Sequence, residues 1–165
     1  MKKESIKKCI MILFILYCLA LVYVLFLTNL HRTGLNTFGI ISVFSKEHIE
    51  MCNIVPFKTI FEYFQRLAEH TINTNIVVMN LLVNLILFLP MGMAIPVLFE
   101  KKINKFWKFL LFIIFITFLV EIIQFITLSG STDIDDIILN TIGGCIGYGI
   151  VQLKFVRKLL KLDKQ

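Results

Sequence analysis

Four stretches of this chain, residues 10–30, 76–99, 106–128 and 134–153, each run for about twenty residues with few charges. At about 1.5 Å of rise per helical residue, each can cross the roughly 30 Å hydrocarbon core of a bilayer. Lipid offers the backbone no hydrogen-bond partners, so a lone segment of this length satisfies itself there as a helix. The sequence therefore predicts an all-α fold, a polytopic four-transmembrane-helix bundle forming a single membrane domain over residues 1–165. A long loop, 31–75, follows the first span, and the short connections at 100–105 and 129–133 make the later spans antiparallel neighbours. Composition agrees, since 58% of the residues are hydrophobic and 17% charged, which excludes a water-soluble globule.

The net charge of +6 is topological and carries no nucleic-acid motif. Thirteen of the 17 basic residues fall in the N-terminal tail, around the 100–105 turn, or in the C-terminal tail. Arg32, Lys46, Lys58 and Arg66 in the long loop are offset by Glu47, Glu50, Glu62 and Glu69. Basic residues near helix ends stay cytoplasmic, so both termini are expected in the cytoplasm and the 31–75 loop outside. The first run is longer than a signal-peptide core, has no small-x-small cleavage site after it, and has Tyr17 before Cys18. It reads as a retained signal anchor. Cys9, Cys18, Cys52 and Cys145 show no paired or metal-binding spacing, so neither a disulfide framework nor a metal site is expected, and the sequence points to no cofactor.

Inside the loop, Phe57, Ile60, Phe61, Phe64, Leu67 and Ala68 recur at helical spacing, while Lys58, Glu62, Gln65, Arg66 and Glu69 take the other face. This is an amphipathic helix, with Pro56 suited to its first turn. It either lies flat on the outer membrane surface as an interfacial helix or packs its Phe stripe on the bundle.

Polar side chains inside spans are costly and face the bundle interior. Span two carries Asn80 and Asn84, then Pro90 and Gly92; span three carries Thr117, Glu121 and Gln124. At about 100° per residue, Asp133, Asp136, Asn140, Gly143, Gly144 and Gly147 share one face of span four, and Asp135 points away. Counted from the outer ends at 1.5 Å per residue, Asp136, Gln124 and Asn80 lie about 5–6 Å deep and Glu121, Asn140 and Asn84 about 10–12 Å. Asn84, Glu121, Gln124, Asp133, Asp136 and Asn140 are therefore expected to form a polar pocket open to the outside, or else to bond one another as interhelical glue. Pro90, Gly92, Gly143, Gly144 and Gly147 are read as helix-packing positions. Glu121 and Asp136 also suit an acid/base pair or a divalent cation. Against catalysis, no His lies in a span, no Ser sits in a nucleophile motif, and no glycine-rich phosphate cradle is present.

The ordered set Asn84-x3-Phe88-x-Pro90-x-Gly92, Glu121-x2-Gln124 and Gly130-Ser131-Thr132-Asp133-x2-Asp136-x3-Asn140-x2-Gly143-Gly144 resembles the VanZ-like family of small bacterial membrane proteins. Asn53-x2-Pro56-Phe57 is similar to a further family pattern, and the resemblance runs from Asn53 to Tyr148. It implies a multi-pass bacterial cell-membrane protein linked to resistance to teicoplanin and related lipoglycopeptides, with no established enzymatic step. Many members carry an Arg shortly before the Asp pair, where this chain has Gly130, so the resemblance does not carry a charge-compensated carboxylate site over to this chain.

Two functional expectations follow. In one, the outer pocket and loop helix bind or shield a membrane lipid, a lipid-linked cell-wall precursor or an amphiphilic glycopeptide antibiotic. In the other, the protein is an intramembrane enzyme that processes a lipid headgroup through Glu121 and Asp136.

Overall fold

The structure is a computed structural model and describes residues 3–27, 46–50, 52–127, 129, 132–160 and 162. Among these the extended elements are all helical: α1 (Lys3–Val22, continuing as a π-helical turn, Tyr23–Leu27), α2 (Lys46–Glu50), α3 (Lys58–Ala68), α4 (Thr74–Leu98), α5 (Phe106–Thr127), α6 (Ile134–Gln152) and α7 (Lys154–Leu159). Four segments, Lys3–Phe26, Thr74–Leu98, Phe106–Thr127 and Ile134–Gln152, are long and apolar enough to cross a membrane, which makes this a multi-pass membrane protein. The first begins at Lys3 instead of residue 10 because a helix need not stop at the hydrocarbon edge. Lys3 and Lys7 extend it into the polar zone, where both pair with Glu100, at 3.4 and 3.0 Å, in the turn between α4 and α5. Residues 28–30 and 128, expected as span ends, together with 31–45 and Gly130, lie outside the described residues.

The tightest contact joins α4 to α6, and the sequence explains why. A Cβ on Gly92 would overlap the Gly144 carbonyl, and one on Gly143 or Gly147 would overlap the carbonyl of Leu85 or Leu89. Hydrogen at these positions lets the two backbones touch, and in a bilayer such packing, not removal from water, drives helix association. Pro90, grouped with them on sequence, is exposed on the side of α4 toward α1. Phe88, Met91, Ile95, Phe109 and Ile113 form the core between α4 and α5, which Leu21 of α1 joins. α1 is the most peripheral span. It meets α4 through Phe14 and through Tyr17, whose hydroxyl donates to the Leu87 carbonyl.

α3 differs from expectation at its start. Pro56 stands two residues ahead of the helix, in a turn that ends at Phe57 in the left-handed region (φ 65°). Phe57, Phe61 and Phe64 are 60%, 69% and 58% exposed, so the Phe stripe points away from the bundle instead of packing on it.

Candidate functional site

The start of α6 organises the end of the bundle at which the loop lies. Asp133 caps the helix, its carboxylate accepting the Asp135 N–H at 2.9 Å, and Asp135 and Asp136 place negative charge on the positive end of the helix dipole. Asp133 and Asp136 have the spacing of a reciprocal capping box, yet the box stays open. Asp136 is turned to Asn84 of α4, whose amide donates to it. The N–H of Asp133 is taken instead by Glu121 of α5, at 3.2 Å.

Asp133 also holds the loop. It accepts from Asn53 Nδ2 at 2.9 Å and from Thr59 Oγ1 at 2.5 Å. Backbone bonds from Asn53 N to the Thr132 carbonyl (2.8 Å) and from Ile134 N to the Asn53 carbonyl (2.9 Å) make a parallel bridge between Asn53 and Asp133. Asp135 accepts the N–H groups of Phe57 (2.5 Å) and Ile60 (3.1 Å), the orphan donors at the start of α3. Two of the three aspartates are thus spent on fastening α3 over the bundle, while Asp136 keeps acceptor capacity beyond its bond to Asn84.

Beneath α3 lies a cavity of about 640 Å³. Asn84, Gln124, Asp133 and Asp136 are on its wall, as is Asn80, whose amide donates to the Ile76 carbonyl at 3.0 Å. Glu121 and Asn140, expected in the same pocket, are not on the wall. They lie behind it, 2% and 3% exposed, because α5 turns Glu121 to the end of α6 and Asn140 sits one turn deeper than Asp136. The wall is acidic, with Glu50, Glu62, Asp133, Asp135 and Asp136 against Lys58, which pairs with Glu62 at 3.9 Å. Burial raises the pKa of the Tyr63 phenol, and the charges of Asp136 and Asp133 raise it further, so it stands protonated at the cavity as a donor. Among the described residues no three His, Cys, Asp or Glu side chains converge as metal ligands.

Asp135, Thr59 and Tyr63 were not expected at the site, and Asn53 entered the sequence reading only through a family pattern. The available signal was a missing one: residues 55–57 offer α3 no Ser, Thr, Asp or Asn to cap it, so an acceptor had to come from elsewhere.

The VanZ/LLP1 family model matches residues 14–156 of the chain. No curated protein and no solved structure matches it.

Proposed function

The chain belongs to the VanZ-like family, and on that premise we propose that its acidic cavity faces the outer leaflet of a bacterial cell membrane and binds the polar part of an amphiphile there. The ligand is a membrane lipid, a lipid-linked cell-wall precursor or an amphiphilic glycopeptide antibiotic, and its capture reduces drug access to the target. The observation that carries this reading is the Asn84–Asp136 pair on the wall of a cavity whose cover, α3, exposes Phe57, Phe61 and Phe64. A polar recess beside an apolar face suits a ligand with a polar head and a lipid tail. The basic residues at the other end of the bundle support cytoplasmic termini. Binding is favoured over headgroup chemistry because Glu121 is engaged by the Asp133 N–H and lies off the cavity wall, so the two carboxylates are not presented together.

Expression in a glycopeptide-sensitive Gram-positive host tests the reading. Tolerance to teicoplanin, whose acyl chain holds it at the membrane, should rise more than tolerance to vancomycin, which has none. Asp136→Asn and Asn84→Ala should lower that protection at unchanged protein level. Equal protection against the two drugs, or full protection from both well-expressed variants, would refute it.

A further inference from the structure

At the opposite end of the bundle, between α1, α4, the end of α6 and the segment after α7, lies a second cavity of about 440 Å³. Its origin is side-chain size. α6 meets α4 through glycines, whereas α1 meets it through Phe14 and Tyr17 and is held off. Ala94, Val97 and Val151 make a buried floor, and Leu13 and Pro90 are exposed rims. No charged residue lines the groove, and its one polar side chain, Tyr17, already donates to the Leu87 carbonyl. Leu160 closes the end nearest the bundle surface, and Leu162 anchors this segment by packing on Val97 and Val151.

The chain leading to Leu160 is α7, which carries Lys154, Arg157 and Lys158 and no acidic residue. Lys3 and Lys7 at the same end are taken up by Glu100, but Lys154 and Lys158 make no ion pair among the described residues. Arg157, one turn before Leu160, donates to Gln152 Oε1 at 3.0 Å. An apolar groove open at the depth of the spans therefore closes at Leu160, two residues after Lys158, which like Lys154 has no ion-pair partner among the described residues.

We propose that this groove holds one acyl chain of an anionic phospholipid whose phosphate is met by Lys154 and Lys158. The walls reject any water-soluble ligand, since nothing there would replace its hydration. A lipid tail brings no such cost and is already present at this depth. Basic residues beside a space between membrane helices select an anionic headgroup over a zwitterionic one. This site is separate from the acidic cavity and stands or falls independently of it.

Native mass spectrometry of the full chain in mild detergent tests the assignment, with dioleoyl phosphatidylglycerol and dioleoyl phosphatidylcholine offered at equal mole fraction. One phosphatidylglycerol should be retained at least about tenfold more strongly than phosphatidylcholine. Lys154→Gln combined with Lys158→Gln should bring the two lipids level. Ala94→Leu, which fills the floor, should reduce retention of both. In case that variant does not fold, Leu13→Trp in a Trp107→Phe background reports from the exposed rim. Brominated phosphatidylglycerol should quench this Trp more than brominated phosphatidylcholine does, and the double Gln substitution should erase the difference. Equal retention of both lipids by the wild type, a preference that survives the double substitution, or a protein dimer in place of the lipid adduct would overturn the proposal.

Discussion

Asp135 accepts the backbone N–H of Phe57 at 2.5 Å, so the first turn of one spanning helix caps a loop helix whose N-cap residue lies 78 residues earlier in the chain. α3 has no side-chain cap of its own, and Phe57 is held in a left-handed conformation that is unfavourable for a bulky residue. Asp135→Ala would leave the Phe57 and Ile60 amides without their acceptor, at about 1–3 kcal/mol for each unsatisfied group. Because water can reach part of this segment, the lower figure is expected. Hydrogen exchange at 57–60 should quicken while α4 and α6 stay protected. Unchanged exchange at these amides would remove Asp135 from the capping role.

The glycines of α6 divide sharply. A Cβ at Gly143 would meet the Leu85 backbone, which cannot swing aside, whereas Gly149 has nothing within 4 Å. Gly143→Ala should therefore destabilise the bundle in detergent by about 1–3 kcal/mol, the usual cost of overpacking. Gly149→Ala should be neutral or stabilise by up to about 1 kcal/mol through helix propensity. Similar denaturation midpoints for the two variants would contradict the α4–α6 contact.

The Lys7 hydrogen bond and the charges of Lys7 and Lys3 hold the Glu100 pKa below its ordinary 4.5 against a smaller effect of burial. A carboxylate with a lowered folded-state pKa contributes stability that is complete above the unfolded value and is lost as pH falls through the folded one. The Glu100 carboxyl is 40% exposed, so solvent screening limits the contribution to about 0.5 kcal/mol. The stability difference between wild type and Glu100→Gln should be constant from pH 7 down to about pH 5 and should vanish at lower pH. A difference that grows on acidification would reverse the assigned sign.

Topology gives a labelling prediction. With the native cysteines replaced, Glu69→Cys, on the exposed end of α3, should react with an impermeant maleimide on intact cells. Lys105→Cys, in the turn before α5, should react only after permeabilisation. Labelling of the second site on intact cells would invert the orientation.

The spans are legible because twenty apolar residues in lipid have one simple backbone solution, and the packing face of α6 is legible because glycines recur on it, but its partner α4 is not, since short connections point only to consecutive spans as neighbours. The presence of Asn84 and Asp136 in one cavity could be anticipated from helical spacing, a local quantity, although counting depth set them at about 12 and about 5 Å and so gave no direct bond between them. The roles of Asp133 and Asp135 could not. Helical periodicity turns Asp135 away from the polar stripe, yet it lines the same cavity as Asn84 and accepts from a loop segment whose docking site no local pattern encodes. Glu121 was placed on the wrong side of the cavity wall for a related reason. Depth along a helix says how far in a side chain lies, while its contact with the Asp133 N–H depends on how α5 rotates against α6.

Phe57, Phe61 and Phe64 point away from the bundle on a helix fastened to the first turn of a spanning segment, so α3 should lie in the interface with these rings in the outer acyl region. An amphipathic helix of this kind sinks its apolar face about 5–10 Å past the headgroup boundary. Trp107, the single Trp of the chain, sits near the start of α5 and can be replaced by Phe to give a silent background. In liposomes, Phe61→Trp in that background should show blue-shifted emission. Lipids brominated near the headgroup end of their chains should quench it more than lipids brominated near the chain ends. Arg66→Trp, on the opposite face of α3, should emit as a hydrated indole and resist both quenchers. The contrast between the two positions separates insertion from simple proximity, since both residues belong to the same short helix. Equal quenching at the two positions, or none at Phe61→Trp, would place α3 clear of the membrane and take away the apolar half of the proposed amphiphile site.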